Sequence, residues 1–159
     1  MLLPRGPAVD TLCYRATRSP KILHGVGLSY IMKPHSPPAV IAVVDDDESV
    51  RLATASLLRS CGWTIRAYPS GPDLLSNLHE SEFCLVIADV QMPEMDGFTL
   101  VRKLGERRPG IPVIFVTAYA TPEMIKKASA TGIVDFFTKP LDDAVFLCRV
   151  TEIVGEAAR

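Results

Sequence analysis

The chain has 159 residues, 48% of them hydrophobic, which is enough for one domain with its own core, argues against disorder and leaves little room for a second domain. Its formal net charge of -1 conceals an asymmetry: residues 1–38 carry five Lys or Arg against one acid, whereas residues 39–159 carry twelve against seventeen, 12 - 17 = -5. An acidic folded part lacks the basic footprint of direct nucleic-acid binding, and no stretch reaches the length of a membrane span.

Residues 1–38 hold Pro4, Pro7, Pro20, Pro34, Pro37 and Pro38 with scattered arginines and no sustained period, the composition of a flexible or mis-annotated extension. "ILHGVGLSYIM" behind Arg15, Arg18 and Lys21 has the order of a signal peptide, but His24 and two glycines interrupt its apolar core. Translation from Met32 is the simpler reading of this region. From residue 39 short apolar runs alternate with longer amphipathic ones. The first run, "AVIAVV" (39–44), reads as a strand, and 48–61, with Leu52, Leu57, Leu58 and Cys61, reads as a helix. "TIRAY" (64–68) is the second strand and 72–79 the second helix; "CLVIA" (84–88) and 97–107 follow. "PVIFV" (112–116) precedes a helix over 122–130 with Thr121 as N-cap, Pro122 in its first turn and Gly132 as C-cap. "DFFT" (135–138) and a helix over 142–154 complete the domain, assigned to 39–155, with 156–159 as a tail. Cys13, Cys61, Cys84 and Cys148 are widely spaced, with no CxxC pair, and read as small apolar residues in a reducing compartment.

Five strands that are polar only at their ends, joined by helix-length crossovers, predict an α/β fold: a doubly wound parallel sheet covered on both faces. In such sheets ligands bind outside the carboxyl ends of the strands. Those ends carry Asp45, Asp46 and Asp47 after strand one, Asp89 after strand three, Thr117 after strand four, and Lys139 followed by Pro140 after strand five. Each has an ordinary structural reading by itself: a helix cap, a loop hydrogen bond, a solvated lysine. Together they form a carboxylate cluster on one rim, where like charges repel unless cations sit among them, and a lysine with a divalent metal would answer that repulsion.

"VVDDDES", "VIADVQMPEMDG", "VIFVTAYA" and "VDFFTKP", with 44 residues from Asp45 to Asp89, 28 more to Thr117 and 22 more to Lys139, resemble the receiver domain of two-component response regulators, most closely the nitrogen-fixation regulator type. The resemblance implies a flavodoxin-like sheet in the order 2-1-3-4-5 and Asp89 as phosphoacceptor. It implies Mg²⁺ held by Asp45, Asp46, Asp89 and the backbone carbonyl of Gln91, phosphoryl oxygens met by Lys139 and Thr117, and a cis bond before Pro140. That assignment suits the chemistry, since a carboxylate attacking phosphorus needs in-line approach and charge neutralisation and little else from the protein. Asp47, one residue beyond the family's acidic pair, reads as a helix cap.

Output would follow from the added charge drawing Thr117 and its loop inward. Phe136 occupies the position of the family's switching aromatic; its alternative reading is a plain strand residue. Gln91 and Tyr119, each two positions beyond a site residue, would tune water access. The face formed by helix 4, strand 5 and helix 5, with Ile125, Phe136, Phe146 and Arg149, is expected to meet a downstream protein or a second copy in a phosphorylation-linked dimer. Upstream, the expected partner is a sensor histidine kinase or phosphotransfer protein. With no output domain after strand five, the expectation is a stand-alone, cytoplasmic, bacterial phosphorelay protein that accepts phosphate and releases it rather than turning over a substrate.

A second class shares part of the pattern. "VVDDDESV" also fits the D-x-D pattern of haloacid-dehalogenase-like phosphohydrolases, with Asp45 as nucleophile, Asp47 as acid and base, and Thr117 as a phosphate-binding hydroxyl. That reading leaves Asp89 without a role and lacks a cap insertion to enclose substrate. A nucleotide-binding Rossmann fold would need a Gly-rich loop after strand one, and there is none.

Overall fold

The computed structural model describes residues 40–157, so the expectations placed on the first 38 residues, including Met32 as a start, lie outside the described residues. Strands β1 (Val40–Val44), β2 (Thr64–Tyr68), β3 (Phe83–Asp89), β4 (Val113–Thr117) and β5 (Asp135–Thr138) form one parallel sheet in the order β2-β1-β3-β4-β5. This is the flavodoxin-like topology, and five helices alternate with its strands: α1 (Glu48–Ser60), α2 (Gly71–Ser76), α3 (Gly97–Arg107), α4 (Pro122–Ala130) and α5 (Asp143–Ala157).

The strands are uniformly apolar because both faces are covered. On one face Ala42, Val44, Val86, Ala88 and Phe115 pack with Leu74, Phe98, Leu100, Leu104 and Ala128 from α2, α3 and α4. On the other, Ile41, Val43, Leu85, Ile87, Ile114 and Val116 pack with Ala55 and Leu58 of α1 and Phe146, Val150 and Ile153 of α5. Successive residues of one strand thus feed two cores, so a polar side chain is tolerated only where the strand leaves them.

Most helices begin where an acceptor side chain meets the free N–H groups of the first turn. Asp47 accepts from Ser49 and Val50, Ser70 from Asp73, Asp96 from Thr99, and Thr121 from Met124. Asp142 does the same for α5, accepting from the N–H groups of Ala144 and Val145.

Three boundaries differ from expectation. Helix α2 ends at Ser76 rather than 79, with Asn77 closing it through bonds to Asp73 and Leu74; Leu78 is buried without being helical. The cap of α4 is Thr131, and Gly132 follows it at φ +75°, the left-handed position that glycine fills at no steric cost. Helix α5 runs to Ala157 because Gly155 does not stop it, so half of the expected tail is helical.

Candidate functional site

The register brings the polar strand ends together. Val44 pairs with Ala88, so Asp45, the residue after β1, comes level with Asp89, the last residue of β3. Thr117 ends β4 opposite Thr138 of β5, and Lys139 follows. Asp45, Asp89 and Thr117 are the buried polar residues among those described, while Asp46 and Asp47 are exposed. The Lys139–Pro140 peptide bond is cis.

The Lys139 ammonium bridges the two buried carboxylates, with Nζ 2.7 Å from Asp45 Oδ2 and 2.6 Å from Asp89 Oδ2. Their other oxygens are held alike: Asp45 Oδ1 accepts from the Asp47 N–H at 2.9 Å and Asp89 Oδ1 from the Gln91 N–H at 2.8 Å. Thr117 repeats the arrangement more loosely, its Oγ1 accepting from the Tyr119 N–H at 3.4 Å. A side-chain oxygen bonded to the amide two residues on is a local device that Asp and Thr offer and apolar residues do not. It aims each group across the rim.

Oxygens of Asp45, Asp46 and Asp89 lie within 4.8 Å of one another. Three carboxylates with no nitrogen or sulfur donor suit a hard divalent cation such as Mg²⁺. Burial raises the Asp45 pKa, helped by the charge of Asp89 and opposed by Lys139 and the Asp47 amide. Burial works to lower that of Lys139, but hydrogen bonds to Asp45 and Asp89 outweigh it and raise the pKa. The two shifts have different origins: burial disfavours the charged Asp45 carboxylate, whereas its two carboxylate partners stabilise the charged form of Lys139.

Asp47 does not face this cluster with its carboxylate. Its Oδ1 caps α1, accepting from the N–H groups of Ser49 and Val50 at 2.8 and 3.2 Å. Glycine at position 97 is required by the floor of the site: a Cβ there would lie 2.7 Å from the Asp89 carbonyl oxygen and 3.0 Å from Phe115 and Val90. Gly97 also donates its N–H to Val90 O at 2.9 Å, so α3 begins in direct contact with the end of β3.

Phe136 is half-buried and meets Phe115 edge-on at 6.4 Å; Phe115 meets Phe98 at 5.1 Å, and Lys127 Nζ of α4 lies 4.1 Å over the Phe98 ring. Tyr119 is 75% exposed. On the face expected to meet partners, Ile125 is 48% exposed, and Arg149 pairs with Asp135 and Glu152. Phe146 does not belong to that face. It is fully buried beneath the sheet against Phe137, because α5 turns it inward.

The sequence reading missed Arg51, whose guanidinium donates to the carbonyl oxygens of Asp45 and Asp46 at 2.7 and 3.4 Å. A signal was available: a cation near a helix N-terminus opposes the helix dipole, so it calls for a local acceptor.

A family model for the response regulator receiver domain matches residues 41–151. The chain belongs to this family of two-component signalling proteins. It is 40% identical over 102 residues to the response regulator protein TmoT of Ectopseudomonas mendocina, covering 64% of this chain and 46% of TmoT. To the response regulator protein TodT of Pseudomonas putida it is 38% identical over 109 residues, covering 69% of this chain and 48% of TodT. The chain thus spans about half the length of these curated relatives. Among solved structures, FixJ-N aligns at 28% identity with a TM-score of 0.68, over 76% of this chain and 96% of that one. Among the described residues no helix is long and apolar enough to cross a membrane.

Proposed function

We propose that this chain is the phosphoacceptor of a cytoplasmic two-component relay, with Asp89 as the residue phosphorylated by a sensor histidine kinase or phosphotransfer protein. The observation that carries the reading is the position of Asp89: a buried strand-end carboxylate with one oxygen on the Gln91 amide and the other on Lys139. Asp45, beside it, shares the same lysine but lies one residue outside its strand, beneath the Asp47 cap. That placement favours Asp89 over Asp45 as nucleophile, and the capping engagement of Asp47 disfavours a phosphohydrolase with Asp47 as acid and base.

In the reaction an Asp89 carboxylate oxygen attacks phosphorus, the bond from phosphorus to the donor breaks, and the donor leaves with the electron pair. Mg²⁺, when bound by Asp45, Asp46, Asp89 and the Gln91 carbonyl, supplies neutralisation of phosphoryl charge. Lys139 then serves the phosphoryl oxygens as a point charge, and the Thr117 hydroxyl donates a hydrogen bond to the product. The inward pull on Thr117 is relayed to Phe136 and the α4, β5 and α5 face, which carries the signal to a protein target or a second copy. Gln91 and Tyr119 flank the phosphoryl group and set water access, hence the lifetime of the acyl phosphate.

The test is intact mass after incubation with acetyl phosphate, with and without Mg²⁺, for the wild type and Asp89→Asn. One added phosphoryl group that requires both Mg²⁺ and Asp89 is expected. An adduct on Asp45 with steady donor hydrolysis would establish the phosphohydrolase instead.

A further inference from the structure

Asp45 and Asp46 are adjacent in sequence and unequal in support. Asp45 is fixed at four points: its N–H donates to Tyr68 O of β2 at 3.2 Å, its carbonyl accepts from Arg51, Oδ1 accepts from the Asp47 amide, and Oδ2 accepts from Lys139. The exposed Asp46 carboxylate has no hydrogen-bond partner among the described residues. Its direction is therefore set by its backbone, and one side chain reaches that backbone from outside the loop: Arg51, at 3.4 Å from Asp46 O and 2.7 Å from Asp45 O. Arg51 sits on the first turns of α1, anchored by its own N–H to Asp47 O at 2.9 Å, so the guanidinium ties the acidic loop to a rigid helix.

We propose that Arg51 is a positioning residue for the cation site: by holding the Asp45 carbonyl firmly at 2.7 Å and the Asp46 carbonyl more loosely at 3.4 Å, it clamps the acidic loop and keeps the otherwise unsupported Asp46 carboxylate within reach of Asp45 and Asp89. The proposal rests on the reading of this rim as a divalent-cation site. Both contacts come from one guanidinium nitrogen, Nη1, shared unequally between the two carbonyls; a lysine side chain on the same backbone ends one bond short of that nitrogen, so lysine is a partial substitute. The clamp opposes the simpler effect of the same residue. A positive charge beside a cation site weakens metal binding by repulsion, so a purely electrostatic Arg51 predicts tighter binding when it is neutralised, and a clamp predicts weaker binding. The two roles differ in sign.

The experiment is titration of the full chain with Mg²⁺, followed by amide shifts of residues 45–47 and 89–91 in nuclear magnetic resonance spectra, for the wild type, Arg51→Met and Arg51→Lys. Melting temperature in chelator is measured in parallel. Loss of an outer partner that orients a metal ligand typically weakens affinity by about 10- to 100-fold. Arg51→Met is expected to bind Mg²⁺ roughly tenfold more weakly, with Arg51→Lys between it and the wild type. Unchanged or tighter binding by Arg51→Met overturns the clamp, as does a lowered melting temperature with unaltered affinity, which would make Arg51 structural only. Should Arg51→Met fail to fold, Arg51→Lys alone decides, since the clamp requires it to weaken binding. A wild type with no Mg²⁺-dependent shifts refutes the cation site itself, a failure distinguishable from failure of the clamp.

Discussion

The two halves of the rim are built from the same local device and held with unequal firmness. On the β1 and β3 side, Asp45 and Asp89 bond to the amide two residues on at 2.9 and 2.8 Å and share the Lys139 ammonium. On the β4 side, Thr117 makes the corresponding bond at 3.4 Å, and the next residue but one, Tyr119, is 75% exposed. Short charge-assisted bonds fix geometry, while a long neutral bond can be exchanged at little expense. The carboxylate half therefore reads as the fixed chemical centre and the hydroxyl half as the part free to respond to it.

The sharpest way to break this comparison is Lys139→Met. It leaves two buried carboxylates facing each other without their shared cation, and breaking a buried pair costs about 3 kcal/mol. Denaturant melts in chelator are expected to show a loss of roughly that size at pH 7, with added Mg²⁺ restoring part of it. The pH dependence has a definite sign. Because the folded pKa of Lys139 is raised, its contribution is complete below the unfolded value of about 10.4 and is lost as pH rises through the folded value. The gap between wild type and variant should accordingly close in strongly alkaline solution; a gap that widens there contradicts the assignment.

Gly97→Ala attacks the floor beneath the fixed half. The added Cβ would meet the Asp89 carbonyl at 2.7 Å, and the backbone of β3 cannot yield as a flexible side chain would. Overpacking of this kind costs about 1–3 kcal/mol. The same substitution at Gly105, in the last turn of α3 and with nothing within 4 Å of its Cβ position, should stabilise by up to about 1 kcal/mol through helix propensity. Opposite signs for one chemical change, read in a single pair of melts, isolate contact from propensity.

Asp96→Ala removes the cap of α3, at about 1 kcal/mol. Burial works to raise the Asp96 pKa, but hydrogen bonds from Thr99 and the charge of Lys127 hold it below the usual value. The cap's charge-dependent contribution is thus present above the unfolded pKa of about 3.9 and lost as pH falls through the folded value. Melts of wild type and variant should converge in acid.

These residues also show what a sequence can reveal. The five strands were legible because parallel strands covered on both faces are short apolar runs, and Asp45, Asp89, Thr117 and Lys139 were legible because the strand ends are where polarity resumes. The length of α2 was not, since Leu78 keeps the apolar spacing of a helix while being buried in a turn. Phe146 was misplaced because an aromatic on an amphipathic helix does not announce which way the helix is rotated against the sheet. Arg51 and Gly97 engage backbone atoms, Arg51 through carbonyls five and six residues before it and Gly97 through a close approach to the end of β3; neither contact shows in the apolar spacing, and only the place of a cation in the first turn of α1 pointed to Arg51.

The smallest expected effect is the one that most directly tests the loosely held half. Thr117→Val keeps the branched shape in a fully buried position and replaces the hydroxyl with a methyl group. The bond it removes spans 3.4 Å, at the long edge of hydrogen-bonding distance, so its net contribution to stability is at most about 0.5 kcal/mol. Burying a methyl in place of a hydroxyl offsets part of that. Melts should be nearly unchanged. The yield or lifetime of the Mg²⁺-dependent adduct, by contrast, should fall, because the hydroxyl is the donor assigned to the phosphoryl product. A large loss of stability would mean that Thr117 is held as firmly as the carboxylates, and the division of the rim into a fixed and a responsive half would fail.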